Sequence, residues 1–154
     1  PLRNDYVYVK LVNSFDENTC DKNFNYINTS THKLLLCKYK TDRYYGIKEI
    51  DLPQELFDII LRWEKLKSNF FTQDKTFLLL NTTNGTPMKP NTLTKYINKI
   101  FTPLKVSTTL LRKIYLSEKY PIEKYTARDK LLDSYIMGHT THTQSSIYSK
   151  KLTN

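Results

Sequence analysis

Two arginines, a lysine, a histidine and a tyrosine fall where this sequence should end its elements, and these groups are enough for phosphoryl transfer without a metal. Arg3 stands at the start of the first expected strand, and Lys40 at a strand tip before the turn TDRYY. Arg112 sits near the start of an amphipathic helix. His139 follows the break at Gly138, and Tyr148 comes nine positions later, at the end of a polar run. A tyrosine phenolate can attack a phosphodiester and keep the energy of the broken strand in a phosphotyrosine. The pentavalent transition state spreads negative charge over its non-bridging oxygens, which two guanidiniums and an imidazole N–H can stabilise. The departing 5′ oxygen needs a proton, and an ammonium at a hairpin tip can deliver it. The scheme calls for no metal and no other cofactor, and the sequence is poor in the clustered carboxylates of two-metal nucleases.

These groups need a scaffold. Residues 5–12, DYVYVKLV, alternate and are rich in Val and Tyr, the pattern of a strand. A polar loop follows, then FNYI (24–27) and KLLLCKYK (33–40) as strands joined by NTST, and GIKEIDL (46–52) after TDRYY. These segments predict a small antiparallel sheet. After Leu52 the period changes to about 3.6. Pro53 opens a helix whose expected stripe is Leu56, Ile59, Ile60, Trp63 and Leu66. TFLLL reads as a short buried extended segment and NTTNGTPMKPN as a connector rich in turns. Helices are expected over NTLTKYINKIF, over STTLLRKIYLSEKY with Ser107 or Thr108 as N-cap, over PIEKYTARDKLLDSYIM opened by Pro121, and over THTQSSIYSKK. The plan is α+β, a sheet followed by a mainly helical bundle.

The length of 154 residues predicts one domain, with no repeat or linker breaking it. A net charge of +9 suits a polyanion, nucleic acid first and an acidic membrane surface second. No apolar run reaches the roughly 20 residues that span a bilayer, and nothing at the start reads as a signal peptide, so a soluble intracellular protein is expected. A start on Pro1 rather than Met suggests a fragment. Cys20 and Cys37 lack metal spacing and are expected as reduced structural thiols, while His32 and His142 are expected to face solvent.

Four segments carry a resemblance to the tyrosine recombinase (phage-integrase-type) family. MGHTTHTQSSIY resembles its final box, in which a Gly-His pair precedes the nucleophilic tyrosine by this spacing. TLLRKIYLSEKY resembles the second arginine box, KYKTDRYYGIKEIDLP the hairpin that presents the catalytic lysine, and PLRNDY the first arginine box in its virophage and giant-virus integrase form. All four stand in family order and cover nearly the whole chain.

The resemblance implies Arg3 and Arg112 as the clamp on the scissile phosphate, Tyr148 as nucleophile, His139 as donor to a non-bridging oxygen and Lys40 as general acid, with Asp5 supporting the site. The second box usually begins with His or Lys. Here the position is Thr109, whose hydroxyl supplies no charge, so Lys113 or a water would have to compensate. Lys38, Arg43, Lys89, Lys95 and Lys150 are expected to contact the DNA backbone, as are Lys99, Lys105 and Lys151. The family's N-terminal DNA-clamping domain is expected to be absent from this sequence. Double-stranded DNA is the implied partner, with a homotetramer on DNA and a monomer for the isolated fragment. The implied activity is site-specific recombination or integration in a virus or mobile element. A type IB topoisomerase and a catalytically silent DNA-binding module remain open beside it, the latter favoured by Thr109.

Overall fold

The computed structural model describes residues 4–71, 75–119 and 126–137. They fall into two compact units, residues 4–93 and a second that takes in the described residues from Thr94 on.

The first unit is built on four strands, β1 (Val9–Val12), β2 (Asn25–Asn28), β3 (Lys33–Leu36) and β4 (Lys48–Asp51), in that order across the sheet. β2, β3 and β4 pair antiparallel, but β1 runs parallel to β2, with Val9 opposite Asn25. The sheet is therefore mixed, not the antiparallel one expected. The cause is the polar loop between β1 and β2, which spans residues 13–24 and is long enough to carry the chain back for a parallel pairing. The first strand is also shorter than its alternation suggested. Residues Asn4–Tyr8 form a 3₁₀ helix. Pairing with β2 begins only at Val9, so β2 offers these residues no ladder partner, and Asn4 and Asp5 favour local turns.

The far edge of β1 is closed by the TFLLL segment. Leu11 N donates to Thr76 O at 2.7 Å and Leu78 N to Val9 O at 2.8 Å, which places Phe77 opposite Lys10. The Lys10 ammonium lies 3.6 Å from the centroid of the Phe24 ring, itself edge-on to Phe77. Val7, Val9, Leu11, Ile27, Leu35 and Leu80 are buried, and each such side chain taken from water contributes about 1.5–3 kcal/mol.

Helix α1 (Asp42–Tyr45) replaces the turn expected at TDRYY; it stops at Gly46, whose φ of 64° lies in the left-handed region that glycine enters without strain. Helix α2 (Gln54–Phe70) starts just after Pro53, as expected, but buries a different stripe. Phe57, Ile60 and Lys67 face inward, whereas Leu56, Ile59 and Leu66 are exposed. Three anchors turn the helix this way. Phe57 stacks on the His32 ring at 3.9 Å, and Trp63 Nε1 donates to Leu78 O at 2.6 Å. The fully buried Lys67 ammonium donates to Phe77 O at 2.6 Å and Lys75 O at 2.8 Å. His32 is exposed as expected on one side, yet its ring serves as a packing surface on the other.

The connector NTTNG turns back on itself, with Asn81 N donating to Thr86 O and Gly85 N to Asn81 O, both at 2.8 Å. Gly85 has φ 69°, and a Cβ there would meet the Phe71 ring at 2.8 Å, so the position needs glycine twice over.

Helix α3 (Pro90–Ile100) leads into the second unit, which holds α4 (Thr108–Lys119) and α5 (Ala127–Met137). Asn98 ties the link between α3 and α4 together, because its Oδ1 accepts from Val106 N at 2.8 Å while its Nδ2 donates to Thr94 O at 3.0 Å. Ser107 caps α4, Oγ accepting from Leu110 N at 3.2 Å. Thr126 and Asp129 form a reciprocal capping box at the start of α5: Thr126 N donates to Asp129 Oδ2 and Asp129 N to Thr126 Oγ1. Pro121, expected to open this helix, lies outside the described residues, as does the expected final helix.

Candidate functional site

Lys40 is presented by an unusually well-tied stretch of chain. β3 ends its ladder at Leu36, and from there the Asn25 side chain takes the place of a strand neighbour. Its Oδ1 accepts from Cys37 N at 2.9 Å and Lys38 N at 2.8 Å, while its Nδ2 donates to Lys38 O at 2.9 Å. Asn25 is fully buried, so these bonds are shielded from water. Next along, Tyr39 is buried and donates its hydroxyl to Gly46 O at 2.7 Å, closing the loop over α1. Lys38 and Lys40 flank this inward tyrosine and are both exposed, as is Arg43 on α1. The backbone is held while the ammonium groups reach water, which is what a proton-donating or phosphate-contacting lysine needs.

Lys48 lies in β4 of the same hairpin. It is 3% exposed, with its ammonium 4.6 Å from the Tyr45 ring centroid and 5.0 Å from that of Tyr39. Burial pulls its pKa below the usual lysine value. Two lysines of one hairpin thus have opposite settings, Lys40 in water and Lys48 against two aromatic faces. Nothing in GIKEIDL signals this, because Lys48 stands where an outward polar residue is equally ordinary.

Arg112 lies on α4 and is 3% exposed, whereas Thr109, one turn earlier, and Lys113, the next residue, are exposed. Ser107 sets the start of this helix and so the facing of every side chain in its first turns. Among the described side chains of α4, Arg112 is the buried charged one, and a guanidinium keeps its charge at any ordinary pH. The TLLRKIY segment therefore separates one inward cation from an outward one. Thr109 sits with Lys113 among the exposed positions.

Asp5 is half-buried in the opening 3₁₀ helix. Lys89, Lys95, Lys99 and Lys105 are exposed, as the expected backbone contacts require. Arg3, His139, His142, Tyr148, Lys150 and Lys151 lie outside the described residues. Of the five expected catalytic groups, Lys40 and Arg112 are thus described, Lys40 in the first unit and Arg112 in the second. Among the described residues no three His, Cys, Asp or Glu side chains gather as metal ligands would, and no helix is long and apolar enough to cross a membrane.

No family model matches the chain, and neither a curated protein nor a solved structure shows a match to it.

Proposed function

We propose that this chain is the catalytic domain of a tyrosine recombinase, which breaks and rejoins DNA through a 3′-phosphotyrosyl intermediate. The observation that carries the reading is the order Arg3, Lys40, Arg112, Gly138-His139, Tyr148, each in a segment resembling the corresponding family box. The burial of Arg112 beside exposed Thr109 and Lys113, and the bonded hairpin under exposed Lys40, support it.

In this reading the Tyr148 phenolate attacks the scissile phosphorus, the P–O5′ bond breaks, and Lys40 gives its proton to the leaving 5′ oxygen. Arg3, Arg112 and His139 hold the non-bridging oxygens. Resealing runs the same steps backwards with a new 5′ hydroxyl, so neither metal nor nucleotide is consumed. Exposed Lys38, Arg43, Lys89 and Lys95 contribute phosphate contacts whose strength falls with salt. The partner is double-stranded DNA, with recombination or integration on a homotetramer as the family's way of pairing two duplexes.

Thr109 favours a second reading, a silent DNA-binding module of the same fold, because its exposed hydroxyl replaces a cationic group. A pool of random-sequence duplexes, 5′-labelled and nicked so that the released strand diffuses away, separates the alternatives in the presence of EDTA. The recombinase reading expects a denaturation-resistant adduct lost in Tyr148→Phe. Salt-sensitive DNA binding equal in wild type and Tyr148→Phe, with no adduct, establishes the silent module instead. Relaxation of supercoiled plasmid without recombinant product identifies a type IB topoisomerase.

A further inference from the structure

The polar loop between β1 and β2 brings Cys20 to the end of β3. Asp16 builds the turn that does so: its carbonyl oxygen accepts from Thr19 N at 3.3 Å and Cys20 N at 3.0 Å, and its carboxylate accepts from Asn18 N at 2.9 Å and Thr19 Oγ1 at 3.1 Å. Cys37, one residue past β3, is buried, and its backbone N–H is fixed by Asn25. The half-buried Cys20 packs against the core cluster of Tyr26, Leu35 and Cys37, with Phe15 and Phe24. Both cysteines thus belong to one packed cluster, and Cys20 Sγ donates to Glu17 O at 3.5 Å. Both cysteines are free.

We propose that Cys20 and Cys37 are a dithiol modification site, closing to an intrachain disulfide by exchange with a low-molecular-weight disulfide of the glutathione class. Cys20, the half-exposed thiol, is the entry point. Its thiolate attacks one sulfur of glutathione disulfide, forming a mixed disulfide and expelling one glutathione thiolate. The Cys37 thiolate then attacks the Cys20 sulfur and expels the second. Two protein thiols lose two protons and two electrons, and one glutathione disulfide becomes two glutathione thiols. Burial pushes the Cys37 thiol up to about 12, which makes the second step the slow one. The bond ties the loop to the stretch that ends in Lys38–Lys40, so oxidation stiffens the support of that exposed lysine pair. This inference rests on the first unit alone and stands whether or not the chain cuts DNA.

The test uses the full chain in glutathione buffers of graded redox ratio, read by intact mass, non-reducing peptide mapping and thermal melting. The expected result is loss of two hydrogens, a peptide pair joined through Cys20 and Cys37, and a Tm about 10 °C above the reduced form, from closing a loop of this length. Cys37→Ala is expected to stop at one glutathione on Cys20 with no such rise in Tm, and Cys20→Ser to take up none. A wild-type chain that stays at the Cys20 mixed disulfide in the most oxidising buffer, or that forms only intermolecular disulfides, overturns the proposal. So does a chain in which both thiols remain unchanged.

Discussion

The two units bury charge in different ways. In residues 4–93 the Lys67 ammonium is fully buried against the carbonyls of residues 75 and 77, where it joins α2 to the segment that closes β1. It acts there as a structural tie between two pieces of backbone. In the second unit Arg112 is almost as deeply buried, on a helix whose neighbouring Leu110, Ile114 and Tyr115 are exposed. A helix that hides a cation and shows apolar side chains to water runs against the usual hydrophobic order, and α2 does so too, hiding Lys67 while Leu56, Ile59 and Leu66 are exposed. The strands of the first unit, with their inward valines and leucines, follow the ordinary rule.

That contrast can be broken in four ways, the largest effect first. Arg112→Lys should lower DNA cleavage by about 10³-fold, roughly 4 kcal/mol of barrier, because a point charge cannot reproduce a forked donor. Its circular dichroism should stay native, and a collapse of the fold with the activity would make Arg112 structural like Lys67. Lys67→Met should instead cost about 3 kcal/mol of stability, measured by urea unfolding, since it leaves two backbone carbonyls without their donor.

Cys37 supplies a pH-dependent version of the first unit's order. Its thiol, ordinarily near 9.0, is raised by burial to about 12. Its contribution is complete below pH 9 and is lost as pH rises from there towards 12, because only the unfolded chain has released the proton. Wild type should therefore lose up to about 1.4 kcal/mol per pH unit relative to Cys37→Ala across that window. A parallel pair of stability curves would show that Cys37 titrates as an exposed thiol does. The smallest effect is in the second unit, where Ser107→Ala should cost about 1 kcal/mol by removing the α4 cap.

Much of the scaffold was legible because its signals are local. Pro53 before α2, Ser107 before α4 and the turn at Asn81–Gly85 each depend on a few adjacent residues, and the structure has them. What was not legible depends on partners distant in sequence. The parallel pairing of β1 required knowing where β2 would land, and the facing of α2 was decided by His32, Leu78 and the carbonyls that hold Lys67. Period alone made Leu56, Ile59 and Leu66 as good a stripe as Phe57 and Ile60. At the candidate site, the types and order of Lys40 and Arg112 could be read, but the three-bond clamp by Asn25 and the burial of Lys48 could not.

The central claim is that Tyr148 becomes covalently joined to DNA. The direct measurement is mass spectrometry of the trapped adduct after nuclease and protease digestion, locating the nucleotide remnant on the chain. The account predicts a 3′-linked nucleotide on the peptide containing Tyr148, formed in EDTA and absent from Tyr148→Phe. A remnant on another residue, or salt-sensitive DNA binding with no remnant at all, would contradict it.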